Sequence, residues 1–124
     1  MTRDELENRL IDFAVLIIQI CESIPKTRAG NTLSGQKVRS GTSPALNYGE
    51  AQSAESRKDF VHKLKVILKE LRETLICQKI IKRAKSLSEN NRTILEVALK
   101  ENDELIRIFV SSLNIAQRKQ LKKR

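Results

Sequence analysis

Ser56 to Lys85 reads SRKDFVHKLKVILKELRETLICQKIIKRAK. Phe60, Leu64, Ile67, Leu71 and Leu75 recur at steps of three and four residues, which stacks them on one face of a helix; Val61, Leu68 and Ile76 widen that face. Ser56 offers a hydroxyl to the unpaired amides of the first turn, and Asp59 puts a negative charge at the positive end of the helix dipole. The spacing predicts a helix from Ser56 to about Lys85. So long an apolar stripe needs other helices to cover it.

The flanking sequence supplies them. Thr2 followed by Glu5 is a capping box, and Leu6, Leu10, Phe13, Ala14, Ile17, Cys21 and Ile24 keep helical period until Pro25, which gives a helix over about 3–24. Ile11, Val15 and Ile18 fall outside its main stripe, so its centre is apolar nearly all round and is expected to be covered on more than one side, by a partner subunit among others. A less regular helical stretch runs from about Asn31 to Ala54. Gly41 and Pro44 interrupt it. Proline lacks an amide hydrogen and crowds the carbonyl four residues back, so a kink or break is expected at 40–44, and Ser43-Pro44 can also open a fresh helix. After a polar turn at 86–91, Leu95, Ala98, Leu105, Phe109, Leu113 and Ala116 mark a fourth helix over about 91–117. Residues 118–124 follow as a frayed last turn or a basic tail. Four such helices with short connections imply an all-α, up-down four-helix bundle at 1–117, with the tail 118–124 apart.

Composition agrees. The 124 residues suit one domain, and 3% aromatics with 4 Gly and 2 Pro are too few for a β-sandwich or barrel with its turns. No glycine-rich loop follows a strand, which argues against a nucleotide-binding α/β domain. Cys21 and Cys77 lie in apolar stretches without metal or redox spacing, so both are expected to be buried, reduced thiols. The longest apolar run, Phe13 to Ile18, is too short to span a bilayer, and the N-terminus is polar and acidic, unlike a signal peptide. A cytoplasmic protein without a membrane partner is expected.

The net charge of +9 is unevenly placed: residues 1–62 carry 8 basic and 8 acidic residues, whereas 63–124 carry 16 and 7. Lys79, Lys82, Arg83 and Lys85 close the third helix; Arg118, Lys119, Lys122, Lys123 and Arg124 close the chain. Cations near helix C-termini complement the dipole and aid solubility, but two clusters at opposite ends of antiparallel helices also suit a polyanion. These nine residues are the candidate nucleic-acid contacts. With Tyr48 the only Tyr and the Phe residues read as core, such binding is directed at the RNA or DNA backbone rather than the bases.

A second group of polar residues lies on two helix faces. Gln36, Arg39, Ser43, Asn47 and Glu50 line one side of helix two; Asp59, Lys63, Glu70 and Glu73 flank the stripe of helix three. Charges of opposite sign on adjacent stripes pair across a helix seam, which makes this a structural network rather than a reactive site. Arg57 and His62 have a spacing similar to that of helical-bundle ribonucleases, in which the imidazole moves protons and the guanidinium steadies a phosphate. Five residues along a helix turn about 140° between them, so the two side chains diverge. A lone His leaves no metal cluster and no Ser-His-Asp arrangement, and neither cofactor nor enzymatic activity is expected. A protein-only scaffold is the other alternative.

One family resemblance rests on spaced polar positions: Gln36, Arg39 and Ser40, then Ser43, Asn47 and Glu50, then Ser56, Asp59 and Phe60, then Lys69, Glu70 and Glu73. Over about residues 10–85 this pattern resembles the four-helix bundle proteins encoded by intervening sequences in bacterial 23S rRNA genes. The resemblance implies a second helix kinked at Pro44 rather than broken, and a ring-shaped homo-oligomer, a homopentamer. Its architecture is similar to that of accessory variability proteins of diversity-generating retroelements, which implies by analogy nucleic acid and a reverse transcriptase or ribosome-associated protein as partners. The family often carries an aromatic after the helix-three glutamates; here Leu75-Ile76-Cys77 follows.

Overall fold

A computed structural model describes residues 1–85 and 87–122. Its four helices are α1 (Arg3–Ser23), α2 (Arg28–Ala51), α3 (Arg57–Ala84) and α4 (Glu89–Lys122). Each starts where a side chain takes over free amides. Thr2 Oγ1 accepts from the Glu5 amide at 3.1 Å while Glu5 accepts from the Thr2 amide at 3.2 Å. Thr27 accepts from the Gly30 amide at 3.0 Å, and Ser56 from the Asp59 amide at 3.1 Å. Thr27 therefore opens α2 earlier than the weak periodicity after Asn31 suggests. At the other end, α4 carries Arg118, Lys119 and Lys122 on its last turns.

Pro44 does not break α2, which is one helix from Arg28 to Ala51. Pro44 and Gly41 both face the interior. Gly41 is there because α1 comes close: a Cβ at this position would stand 2.7 Å from Ile17 Cγ2. The two residues that read as helix breakers thus lie on the packing face of a continuous helix.

α2 packs against α1 and α3, and α4 packs against α3 and α1, so α1 and α3 occupy diagonal corners. Pairings between consecutive helices run in opposite sequence order. Ile17 covers Gly41, and Ser34 Oγ donates to the Cys21 carbonyl at 3.4 Å. Arg39 meets Glu73 at 2.7 Å while Lys63 meets Glu50 at 2.5 Å. Gln78 donates to Asn102 at 2.7 Å while Lys82 meets Glu96 at 2.7 Å. Arg9 closes the α1–α4 seam on Glu101 and Glu104.

The core is the predicted stripes brought together. Leu10, Phe13 and Ile17 meet Leu64, Ile67, Leu71, Leu105 and Phe109, all fully buried. Tyr48 meets Phe109 edge-to-face, ring centroids 5.7 Å apart. Full burial of one such side chain contributes about 2 kcal/mol. Cys21 and Cys77 are free and buried, as their apolar surroundings imply. Among the described residues no helix is long and apolar enough to cross a membrane.

Candidate nucleic-acid interface

The pairings of Gln78 with Asn102 and of Lys82 with Glu96 set the C-terminal turns of α3 beside the first half of α4. Lys79, Lys82, Arg83 and Lys85 are all exposed there. Lys85 ends the helix in the left-handed conformation, φ 54°, and so turns the chain toward α4. A groove of about 640 Å³ runs between the helices, lined by Leu75 and Leu99 together with these four cations, Lys100, Glu96 and Asp103. An adjoining depression of about 480 Å³ shares Lys82, Lys85 and Glu96 and adds Arg92 and Glu89. Two of the acids are engaged: Glu96 by Lys82, and Asp103 by Arg107 at 3.5 Å. Cations outnumber acids around the groove, and Arg92 and Lys100 join a cluster that the sequence showed only as Lys79 to Lys85.

The second cluster is separate. Arg118, Lys119 and Lys122 are exposed about 40 Å along α4 from Arg92. Lys119 lines a small depression with Arg57, Phe60 and Ile115. Lys123 and Arg124 lie outside the described residues.

The polar network resolves into three groups. Arg39 binds Glu70 at 3.1 Å and Glu73 at 2.7 Å, with Gln36 at 3.5 Å. Burial pushes the Glu70 carboxyl up, whereas the hydrogen bond from Arg39 holds Glu73 down. Lys63 pairs with Glu50. Asn47 stays within α2, donating to Ser43 Oγ at 2.8 Å. Asp59 contributes through its backbone amide to the Ser56 cap. Arg57 lies over the Phe60 ring at 6.0 Å, and His62 is exposed on α3 without a hydrogen bond among the described residues. Nor, among those residues, does any cluster of three His, Cys, Asp or Glu offer a metal site.

Sequence reasoning missed a polar seam inside the bundle. Lys37 is fully buried, and its ammonium has no hydrogen-bond partner among the described residues; burial pushes its pKa down to about 8. One turn on, Thr74 donates to Ser40 Oγ at 2.8 Å. Asn102, in the gap between Ala98 and Leu105, donates to the Leu71 carbonyl at 3.0 Å while accepting from Gln78. Phase was the available signal for Lys37: Gly30, Lys37, Gly41, Pro44, Tyr48 and Ala51 fall on one face.

Together these features define an all-helical, four-helix protein whose excess positive charge lies on α3 and α4. The sequence matches the family described as 23S rRNA-intervening sequence protein over residues 5–117, and the chain belongs to that family. The match takes in the fourth helix, which the polar pattern at 10–85 left out. A solved structure from Bacteroides thetaiotaomicron, a protein with unknown function from the S23 ribosomal protein family, is similar at 27% identity and a TM-score of 0.79, covering 92% of this chain and 99% of that one. No curated protein matches the sequence.

Proposed function

We propose that this is a non-enzymatic protein that binds the backbone of RNA or DNA as a ring-shaped homo-oligomer, a pentamer, and serves as an accessory to ribosomal RNA or to a retroelement in a bacterial cytoplasm. The observation that carries this reading is the gathering of Lys79, Lys82, Arg83, Lys85, Arg92 and Lys100 around one groove and the depression that adjoins it. Such a surface neutralises phosphates with little regard to sequence. Base reading has no platform, since Tyr48, Phe13 and Phe109 are buried and Phe60 faces Arg57. The opposed pairings between consecutive helices support an up-down order. The buried Pro44 supports a local bend in α2, because the carbonyl of Ser40 loses its usual donor there. The interrupted-rRNA association of the family makes RNA the first ligand to try.

The test is a titration of a fluorescent single-stranded RNA at low salt, repeated with Lys79, Lys82, Arg83 and Lys85 changed to Gln. Binding at micromolar protein that is lost in the variant and falls steeply with salt is the expected result. No binding at that concentration overturns the reading. RNA cleavage that disappears in His62→Ala replaces it with the ribonuclease alternative.

A further inference from the structure

Two helix faces lie uncovered at the diagonal corners of the bundle. On α1, Ile11, Val15 and Ile18 are 46%, 47% and 39% exposed on one face. Asp4 and Glu7 precede them and Glu22 follows, all within about 60° of the same direction, with no Lys or Arg among them. On α3, Ile76 and Ile80 are 56% and 46% exposed. Lys65, Lys69 and Arg72 precede them and Arg83 follows on that face; Glu73, at its edge, is held by Arg39. One face is apolar with acidic ends, the other apolar with basic ends.

The lengths agree as well as the signs. Asp4 to Glu22 and Lys65 to Arg83 each span about 27 Å of helix. With the apolar centres opposed and the helices parallel, Glu7 comes level with Arg72 and Lys69, Asp4 with Lys69, and Glu22 with Arg83. The antiparallel alignment sets Glu22 between Lys69 and Arg72, but leaves Glu7 with Arg83 alone and Asp4 beyond the end of α3. Two α1 faces together would oppose acid to acid, and two α3 faces cation to cation, so neither pairs with itself. α1 and α3 of one chain stand at diagonal corners and cannot cover each other.

We infer that the α1 face of one copy docks on the α3 face of a second copy, in parallel and head to tail. The contact rests on the oligomeric reading above and names its surfaces. A contact between unlike faces repeats from copy to copy and closes into a ring when the rotation allows. A rotation axis along the bundle keeps all copies pointing the same way, and α1 and α3 run in the same sense, so the axis that makes a ring also makes this contact parallel. Lys82, Lys85, Arg92 and Lys100 belong to the groove beside α4 and stay free for a polyanion.

Light scattering tests the inference with Val15→Arg, which blocks the α1 face, and Ile76→Arg, which blocks the α3 face. Both positions are exposed, so each variant keeps its helices. The wild type is expected at a multiple of 14.2 kDa and each variant at 14.2 kDa. Mixed in equal amounts, the variants are expected to form a complex of two chains and grow no further, because each lends the other its one intact face. A variant that keeps the wild-type mass, or a mixture that stays at one chain, overturns the contact. A wild type of one chain overturns the oligomeric reading itself, which separates the two failures. A second arm uses charge: Glu7→Arg is expected to weaken assembly, and Arg72→Glu in the same chain to restore it, while failure to restore counts against the register.

Discussion

Lys37 shows what a single residue can set. Its ammonium is fully buried without a hydrogen-bond partner among the described residues, and its pKa falls to about 8 from 10.5. The unfolded chain holds the proton up to about pH 10.5, while the folded chain gives it up near pH 8. Between these limits the unfolded state binds more protons, so the Lys37 contribution to stability rises with pH and its penalty is greatest below pH 8. The shift corresponds to about 3 kcal/mol. Lys37→Met is therefore expected to be more stable than wild type by about that much at pH 7, with the gap closing by pH 10.5. Urea denaturation of both proteins at several pH values measures the difference. Burial raises the thiols of Cys21 and Cys77 while Lys37 draws them down, so the comparison reads Lys37 most directly near pH 7, where both thiols keep their protons in both proteins. Arg39 is a milder case on the α2–α3 seam. Arg39→Ala leaves Glu70 and Glu73 as neighbouring carboxylates without their shared cation, and a melting temperature lower by a few degrees is expected at pH 7 in calorimetry. The Arg39 partners were legible in sequence because opposite charges sat at matching heights on two helices. Lys37 was not, because Gln36-Lys37-Val38-Arg39 reads as an exposed polar run until the phase of α2 is fixed by its buried face.

Helices were the most legible level, and the reason is local. α1 and α3 carry their caps and stripes within their own sequence, and the structure places their ends within a residue or two of the expected ones. α2 carries weaker local signals. Its buried face is made of Gly30, Lys37, Ser40, Gly41, Pro44, Tyr48 and Ala51, a set without a large aliphatic stripe, so its position depends on what α1 and α3 present to it. Gly41 measures that dependence. Alanine is the better helix former by about 1 kcal/mol, yet a methyl here meets three Ile17 carbons at 2.7–3.0 Å. Gly41→Ala is expected to destabilise by about 1–3 kcal/mol. Adding Ile17→Ala, which removes two of those carbons, is expected to restore less than additive loss, and a double-mutant cycle by chemical denaturation reads the coupling. At the end of α3, the left-handed Lys85 gives the opposite sign. Glycine adopts φ 54° without a Cβ penalty, so Lys85→Gly is expected to raise stability by about 1 kcal/mol while removing one cation from the groove.

At the scale of the molecule, charge and assembly bear on each other. Sequence alone placed the charge excess in the second half of the chain, but only packing shows that it divides between a groove beside α4, an outward face of α3 and a distant cluster on the last turns of α4. The recruitment of Arg92 and Lys100 depends on which part of α4 lies against α3, which no local pattern encodes. If copies join through α1 and α3, each presents its own groove, and an RNA long enough to bridge two grooves neutralises twice as many phosphates. For single strands the logarithm of affinity falls with the logarithm of salt by about 0.7 per phosphate contact. Lys82, Lys85, Arg92 and Lys100 of one copy therefore give a slope near −3, and two bridged copies a slope near −6. Wild-type protein is expected to show the shallow slope with a short RNA and the steep one with a long RNA. Val15→Arg, held to one chain, is expected to show the shallow slope with both. That variant carries one more positive charge than wild type, so simple charge predicts tighter binding for it, whereas bridging predicts weaker binding to the long RNA. A length-independent slope in the wild type would mean that the grooves act singly, and the assembly would then have to serve something other than grip on the backbone.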